Sequence, residues 1–252
     1  MRALERGLAV IKFFTGAEGP VTISAISRGT GFDRAVVRRI LGTLEGVGYV
    51  SREGGGFVLT PSVLELGYAY LSSDPLPRIA EARLRPLAER VQESCSFGVM
   101  ERMHVLYLTR VQIKRISGPS LIVGTMVQPY VTAIGRVLLA SMDTEELDSY
   151  LASAELEPIT PRTITSPEQL RGELAAVARQ GWSLVQEELE LGLLALAIPV
   201  HAPDGDVIGA INVTSHLSRT TREEFVEKLY PEIKATAEQI DTDLKNAYRY
   251  PV

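Results

Sequence analysis

The chain has a single cysteine, Cys95, among its 252 residues. One thiol cannot form an intrachain disulfide, which is typical of a reducing compartment, and its apolar neighbours predict a buried side chain. The sequence has no run of eighteen or more uncharged apolar residues, and its N-terminus lacks the long apolar region of a signal peptide. We therefore expect a cytoplasmic protein without a membrane span.

The sequence also lacks the common signatures of a catalytic site. It has neither a Gly-x-Ser-x-Gly elbow nor a dinucleotide-binding glycine fingerprint after a strand, and its glycine triplet at 54–56 lacks the Lys-Ser/Thr of a phosphate-binding loop. The histidines His104, His201 and His216 do not have the short spacing of a metal site. We therefore predict no catalytic residues, no metal ligands and no cofactor.

One acidic cluster keeps an alternative open. Glu187, Glu188 and Glu190 lie close together in the sequence. Paired carboxylates can act in acid–base chemistry, although we expect a solvated loop here. The function classes that this cluster keeps open are an enzyme and a metal-binding protein using His201 or His216, either of them with an N-terminal interaction head.

The charge is distributed unevenly along the chain. Residues 1–60 hold eight Lys/Arg and five Asp/Glu, a net charge of +3, whereas the whole chain has a net charge of −5. The remainder is therefore acidic, with a net charge of −8. A basic N-terminal segment on an acidic body indicates a DNA-binding domain joined to a domain with another function.

The segment 21–60 has the order of a winged helix-turn-helix. A short helix over 23–28 leads into a turn in which we expect Gly29 and Gly31 to take positive backbone angles. Asp33 then predicts the N-cap of a second helix, with a side-chain oxygen that accepts from a free N–H group. Two short apolar strands around the glycine triplet complete the motif as a hairpin.

The second helix of the motif has two different faces. Its apolar residues recur at spacings of three and four, so they share one face, which we expect to pack on Ile11, Ile23 and Ile26. These apolar residues are Val37, Ile40, Leu41 and Leu44.

The opposite face of this helix is basic. Guanidinium groups match both phosphate oxygens and the guanine edge in the major groove, which predicts DNA binding. A solvated helix face and a protein-binding winged helix remain the alternatives. The predicted DNA-binding residues are Arg34, Val36, Arg38, Arg39 and Thr43 on the helix, with Arg52 beside the hairpin turn.

The rest of the chain predicts an α+β domain behind a connector helix. We place the winged helix at 1–61, the connector at 62–76 and the second domain at 77–252. Adjacent antiparallel hairpins mixed with helices favour this class. Beyond the connector, predicted helices cover 79–91, 133–141, 144–151, 168–180 and 221–248, and predicted strands cover 97–100, 105–108, 121–123, 182–185, 193–200 and 207–213.

Several segments together resemble the IclR-type transcriptional regulators over nearly the full length of the chain. They occur in the family's order at 4–10, 36–50, 57–67, 130–140, 187–193 and 210–213. In addition, Thr109-Arg110-Val111 and the helix at 135–140 resemble the branch that controls aromatic-acid catabolism through the β-ketoadipate pathway.

The resemblance implies a GAF-like effector-binding domain, a homodimer that often pairs into a homotetramer, and a repressor or activator controlled by a small organic effector, aromatic or carboxylic. Two heads would bind two operator half-sites, and the effector would act through the connector. The effector-binding residues that it implies are Ala133, Ile134, Leu193, Ala195 and Asn212, with Thr132 and Thr214 nearby.

The sequence departs from this branch at two positions. The branch often reads Gly-Leu-Arg where this chain has Gly192-Leu193-Leu194, so a cation that could pair with a ligand carboxylate is missing there. Arg110, Arg115 or Arg136 could replace it, or could serve surface or structural roles. The second departure is Val36, where the family often has Thr or Ala; its methyl groups could contact a thymine methyl group.

Overall fold

The computed structural model describes residues 2–113 and 121–249, and the chain divides into two compact units after Ser73. Arg115 lies outside the described residues. No described helix is both long enough and apolar enough to cross a membrane. The first unit contains α1 (Arg2–Phe13), α2 (Ile23–Thr30), α3 (Arg34–Gly46), β1 (Val50–Glu53), β2 (Gly56–Leu59), a 3₁₀ turn (Pro61–Val63) and α4 (Leu64–Ser73).

Helices α2 and α3 form the predicted helix-turn-helix, and local side-chain chemistry explains their ends. The Thr22 hydroxyl caps α2 by accepting from the Ala25 N–H group at 3.2 Å. Gly31 ends this helix with a φ of 71°, a left-handed conformation that glycine adopts without steric cost. Asp33 stands at the predicted N-cap of α3, but its side chain makes no capping hydrogen bond.

The predicted turn conformation of Gly29 is wrong. Gly29 lies inside α2 and does not have a positive φ. Its lack of a side chain serves packing instead, because a Cβ atom there would lie 1.9 Å from Cε2 of Phe13. The glycine therefore allows α1 and α2 to approach each other.

The apolar face of α3 packs as the sequence predicts. Val37 and Leu41 are fully buried, and the hairpin contributes Val50 and Phe57 to the same core. Val21 adds a bridge to Phe57, so the wing is tied to the chain before α2. The core also contains Ile11, Ile23 and Ile26, the three residues expected to receive α3.

The second unit is a six-stranded antiparallel sheet with helices on both faces, the α+β, GAF-like arrangement predicted. The strand order is β5-β4-β3-β8-β7-β6. Its elements are α5 (Leu76–Val91), β3 (Ser94–Glu101), β4 (His104–Val111), β5 (Met126–Val127), a 3₁₀ turn (Pro129–Val131), α6 (Ala133–Ala140), α7 (Thr144–Ser153), α8 (Pro167–Gln180), β6 (Ser183–Gln186), β7 (Leu193–His201), β8 (Val207–His216) and α9 (Arg222–Arg249).

The two faces of the sheet bury different sets of side chains. One face packs on α5 and α9 and includes Cys95, which is fully buried as predicted. Burial raises the pKa of this thiol to about 12. The other face packs on α6, whose Ile134 and Val137 belong to one apolar cluster with Ala195 and Ala197.

The strand predicted at 121–123 is wrong. Val123 and Gly124 form a turn in which Gly124 has a φ of 89°, and Thr125 donates to the carbonyl oxygen of Ile122 at 3.0 Å. The edge strand of the sheet is β5, which begins two residues after Gly124. Three consecutive apolar residues therefore lead into a glycine turn instead of pairing.

Candidate DNA-binding surface and effector pocket

The face of α3 opposite the apolar core carries the predicted DNA-binding side chains. Arg34, Arg38 and Arg39 are exposed and form no ion pair with any described residue. Thr43 is also exposed, and its hydroxyl donates to the Arg39 carbonyl oxygen at 3.1 Å. Val36 is half-buried. The helix thus presents three unpaired guanidinium groups on one unit.

Arg52, the predicted contact from the wing, already has partners in the structure. Its Nε lies 3.1 Å from Oε1 of Glu45, and its guanidinium carbon lies 5.2 Å from the centroid of the Phe57 ring. The side chain is nonetheless 71% exposed. An ion pair in solvent contributes only about 0–1 kcal/mol, so a phosphate group can compete for this arginine.

A groove separates α1 from the exposed face of α3. Val36, Arg39 and Thr43 line one side of it, and Leu4 and Gly7 line the other. The groove contains about 1060 Å³ of empty space, part of which is open solvent. Val36 therefore borders this groove as well as the basic face.

A second cavity lies in the C-terminal unit at the N-terminus of α6. Thr132 caps this helix, because its hydroxyl accepts from the Gly135 N–H group at 2.9 Å. The cavity contains about 360 Å³ of empty space, part of which is open solvent. Six of the predicted effector-binding residues line it: Thr132, Ala133, Leu193, Ala195, Asn212 and Thr214.

Ile134 is the predicted pocket residue that does not line this cavity. It is fully buried and belongs to the apolar cluster between α6 and the sheet. The structure adds lining residues that the sequence did not single out, including Tyr107 on β4 and Val185 on β6. Alternation along each strand could have indicated their faces, but the strand order that brings them together could not be inferred.

Asn212 has an unusual environment in this pocket. Its side chain is 3% exposed, and its Oδ1 is buried without a hydrogen-bond partner among the described residues. Burying an amide oxygen without a partner costs about 1–3 kcal/mol. The pocket therefore contains an acceptor that a bound molecule can satisfy.

Arg136 already has partners within the protein. It is one of the three cations considered for the ligand carboxylate. It is 1% exposed, and its Nη2 lies 2.5 Å from Oε2 of Glu188. Its Nε donates to the Tyr130 carbonyl oxygen at 2.9 Å. Glu188 is itself buried and also accepts from the Ile164 N–H group, so its expected place in a solvated loop is wrong. This ion pair fixes one wall of the pocket.

Glu187 and His201 also have local partners. Glu187 accepts from the Gly192 N–H group at 3.0 Å, and its own φ of 59° turns the loop that covers the pocket. His201 lies 3.0 Å from Asp241, measured between Nδ1 and Oδ2. Among the described residues, no three His, Cys, Asp or Glu side chains are grouped to hold a metal ion.

We expect Gly135→Ala to lower the free energy of unfolding by about 1–3 kcal/mol, the usual range for overpacking. A Cβ atom at Gly135 would lie 2.2 Å from the carbonyl oxygen of Pro129, and backbone cannot move aside as a side chain can. Urea denaturation provides the measurement. The matched control is Gly172→Ala in α8, where a Cβ atom would meet nothing within 4 Å.

The control should raise stability by up to about 1 kcal/mol, because alanine favours a helix over glycine. Equal stability changes in both variants would show that α6 and the Pro129 turn are not closely packed. The expected difference therefore tests the geometry at the mouth of the pocket.

Comparison with known protein families gives two matches. The model described as "IclR helix-turn-helix domain" matches residues 3–54, and "Bacterial transcriptional regulator IclR C-terminal" matches residues 68–242. The Pca regulon regulatory protein of Pseudomonas putida is 39% identical over 241 residues, covering 95% of this chain and 83% of that protein.

Two solved structures extend the comparison. A transcriptional regulator from Rhodococcus sp. RHA1 has a TM-score of 0.88 and 38% identity, covering 98% of this chain and 99% of that one. An IclR homologue from Microbacterium hydrocarbonoxydans, solved as a complex with 4-hydroxybenzoate, has a TM-score of 0.83 and 26% identity, covering 97% and 99% of the two chains. The chain belongs to the IclR family of bacterial transcriptional regulators, with a helix-turn-helix domain followed by an effector-binding domain.

Proposed function

We propose that this regulator binds operator DNA through the exposed face of α3 and that a small organic acid in the C-terminal pocket changes its affinity for the operator. The observation that carries the DNA contact is the set of three exposed arginines without an ion-pair partner among the described residues. Arginine suits both phosphate and guanine contacts. We assign direct contacts to Arg34, Arg38 and Arg39, with Val36, Thr43 and Arg52 at the edges.

The pocket supports an aromatic or carboxylic effector. Its walls are largely apolar, while Asn212, Thr132 and Thr214 supply a few polar groups, a combination typical of small-molecule sites. Glu187 and Glu188 also line it, but their carboxylates accept hydrogen bonds from the Gly192 N–H group and from Arg136. A homologue of the same fold was solved with 4-hydroxybenzoate, and a relative regulates a Pca regulon. We infer that aromatic catabolism is the process controlled, as a repressor or as an activator.

A dimer is the form that we propose for operator binding. Apolar side chains are exposed on α1 and α4 of the first unit, with Leu4 72%, Leu64 76% and Tyr68 70% exposed. Large exposed apolar side chains grouped on one domain are typical of a protein–protein contact. A dimer would place two heads on half-sites about 34–36 Å apart, and dimers could pair into a tetramer.

The family and the domain organisation of the chain support the remaining assignments. We propose that residues 1–61 bind DNA, that 62–76 carry the effector signal, and that 77–252 bind the effector. The protein would act in the cytoplasm, where operator DNA is found. Because the matched relatives are transcriptional regulators, we infer regulation and not an enzymatic activity.

Selection from a random duplex library, followed by fluorescence anisotropy, tests this function. We expect the recovered duplexes to contain two related half-sites one helical turn apart. Adding 4-hydroxybenzoate should change the affinity for the recovered duplex about 5- to 150-fold, the usual range of allosteric coupling. Duplexes with one half-site would contradict the dimer.

A panel of ligands tests which compound is the effector. The panel contains benzoate, 3- and 4-hydroxybenzoate, 3,4-dihydroxybenzoate and neutral aromatic compounds. An effector present at about 100 times its Kd should stabilise the folded protein by about 2.7 kcal/mol. A panel that leaves the melting temperature, the DNA affinity and transcription unchanged would overturn control by an aromatic effector.

A further inference from the structure

A row of polar and small side chains crosses the sheet beneath α6. The strand registers pair Arg110 with Ser96, Ser96 with Asn212, Asn212 with Ala197, and Ala197 with Ser183. Residues that pair directly across neighbouring strands point to the same face of the sheet. Ala197 belongs to the apolar cluster that contacts α6, so the whole row lies on the pocket side.

This row contains most of the unsatisfied polar atoms in the part of the chain that the structure describes. Four buried side-chain nitrogen or oxygen atoms lack a hydrogen-bond partner there, and three of them are Nε of Arg110, Oδ1 of Asn212 and Oγ of Ser183. Each such atom costs free energy in an empty protein. Of these three residues, Asn212 lines the cavity described above, whereas Arg110 and Ser183 lie on the same face of the sheet outside its lining.

Arg110 is a cation without a counter-ion in this row. Its Nη1 donates to the Ser96 hydroxyl at 3.3 Å, and it forms no ion pair with a described residue. The side chain is half-buried, and desolvation lowers its pKa from the ordinary arginine value. Arginine still keeps its proton in proteins, so the positive charge remains uncompensated. Such a site favours an anion.

The neighbour of Arg110 on the same face does not supply the missing negative charge. A bulge between Phe97 and Gly98 pairs Tyr107 with Gly98, which turns the Tyr107 ring toward the pocket that it lines. Burial raises the pKa of this phenol to about 12. Tyr107 is therefore neutral at physiological pH. The two carboxylates that line the cavity, Glu187 and Glu188, already accept from the Gly192 N–H group and from Arg136, so we assign the anion to the ligand.

We propose that Arg110 binds the carboxylate of the effector and that Asn212 accepts a hydrogen bond from a hydroxyl group at the other end of the effector. Asn212 and Arg110 lie two strands apart, about 9–10 Å between backbones, and both side chains face α6. The pocket then selects hydroxylated carboxylic acids. This assignment rests on the proposed function, in which an effector occupies the pocket, and it supplies the cation that Leu194 does not.

The test pairs protein variants with ligand variants. Binding of each hydroxybenzoate, and of the corresponding hydroxybenzamide in which the carboxylate is neutral, is measured by calorimetry on the full chain. Arg110→Gln should weaken binding of the acid about 10- to 100-fold and of the amide less than about threefold, because only the acid makes a charge-assisted hydrogen bond. Arg110→Lys should retain part of the preference for the acid.

Two further variants test the hydroxyl contact and provide a control. Asn212→Ala should reduce the preference for 4-hydroxybenzoate over benzoate about fivefold or more, since the acceptor for the hydroxyl is lost. The matched control is Arg85→Gln on α5, whose exposed guanidinium pairs with Glu81. The control should leave the affinity for every ligand unchanged.

The outcomes are distinguishable. If Arg110→Gln weakens acid and amide equally, or neither, Arg110 does not bind the carboxylate, and the N-terminus of α6 becomes the anion site. If the wild-type chain binds none of the acids, the proposed aromatic-acid effector fails together with this assignment. Thermal denaturation without ligand identifies a variant that does not fold, and Arg110→Lys then decides the question by its ratio of acid to amide affinity.

Discussion

Glu188→Ala should lower the free energy of unfolding by about 3–5 kcal/mol, the cost of removing one partner of a buried ion pair. The Glu173 carboxylate, whose Oε1 lies 3.9 Å from Nη1 of Arg136, is 37% exposed and is only a weak second partner. Arg136 is 1% exposed, and its guanidinium would keep its charge after the carboxylate is removed. The Ile164 N–H group would lose its acceptor as well. Both losses fall on the α6 side of the effector pocket, so effector binding should weaken too.

Urea denaturation of the wild type and the variant measures this difference. The matched control is Glu190→Ala in the same loop, where the side chain forms no ion pair with a described residue. We expect the control to change stability by no more than about 0.5 kcal/mol. A Glu188→Ala protein as stable as the control would show that Arg136 finds another partner or is hydrated.

A double variant distinguishes the loss of the whole Arg136–Glu188 ion pair from the loss of one of its partners. Replacing both members by apolar residues, as in Arg136→Met with Glu188→Leu, removes the buried charges together. Such replacements are often neutral for stability, whereas removal of one partner is not. We therefore expect the double variant to be more stable than Glu188→Ala alone. Equal destabilisation would show that the hydrogen bonds to Tyr130 and Ile164 matter more than the charges.

The faces of α3 could be predicted from the sequence because they depend on local periodicity. Val37, Leu41 and Leu44 recur at the spacing of one helical face, and that spacing already fixes which side is buried. The cap at Thr22 is equally local, since a hydroxyl three residues before a free N–H group is sufficient. The family resemblance added most of the pocket residues in the same way, position by position.

The sequence could not show the features that depend on pairing between distant elements. Arg136 and Glu188 are 52 residues apart, and nothing in either segment indicates a buried ion pair. The row from Arg110 to Ser183 requires both the strand order and the bulge at Gly98. Glycines are similarly ambiguous. Gly29 is a residue type common in turns, yet the structure requires glycine there because the Phe13 ring packs against it.

The Arg38→Ala, Arg39→Ala double variant should bind duplex DNA about 10- to 100-fold more weakly than the wild type at physiological salt. Each phosphate contact contributes about 0.9 to the slope of log K against log salt, and guanine contacts would add about 1–3 kcal/mol of base discrimination. Both side chains are exposed and alanine favours a helix, so stability should change by less than about 0.5 kcal/mol.

Arg85→Ala is the control for this variant. Arg85 lies on α5 in the second unit, its side chain is 60% exposed, and the change removes one positive charge from the chain. If DNA binding responded only to net charge, the control would lose about half as much binding free energy as the double variant, which is about a 3- to 10-fold loss in affinity. We expect it to retain the affinity of the wild type.

The salt dependence of duplex binding tests the central claim most directly, namely that the guanidinium groups of α3 contact DNA. Anisotropy titrations between low and physiological salt give the slope for each protein. We predict a slope for the double variant that is about 1.8 less steep than that of the wild type, corresponding to two lost phosphate contacts. Identical slopes and affinities for the wild type and the double variant would contradict the account.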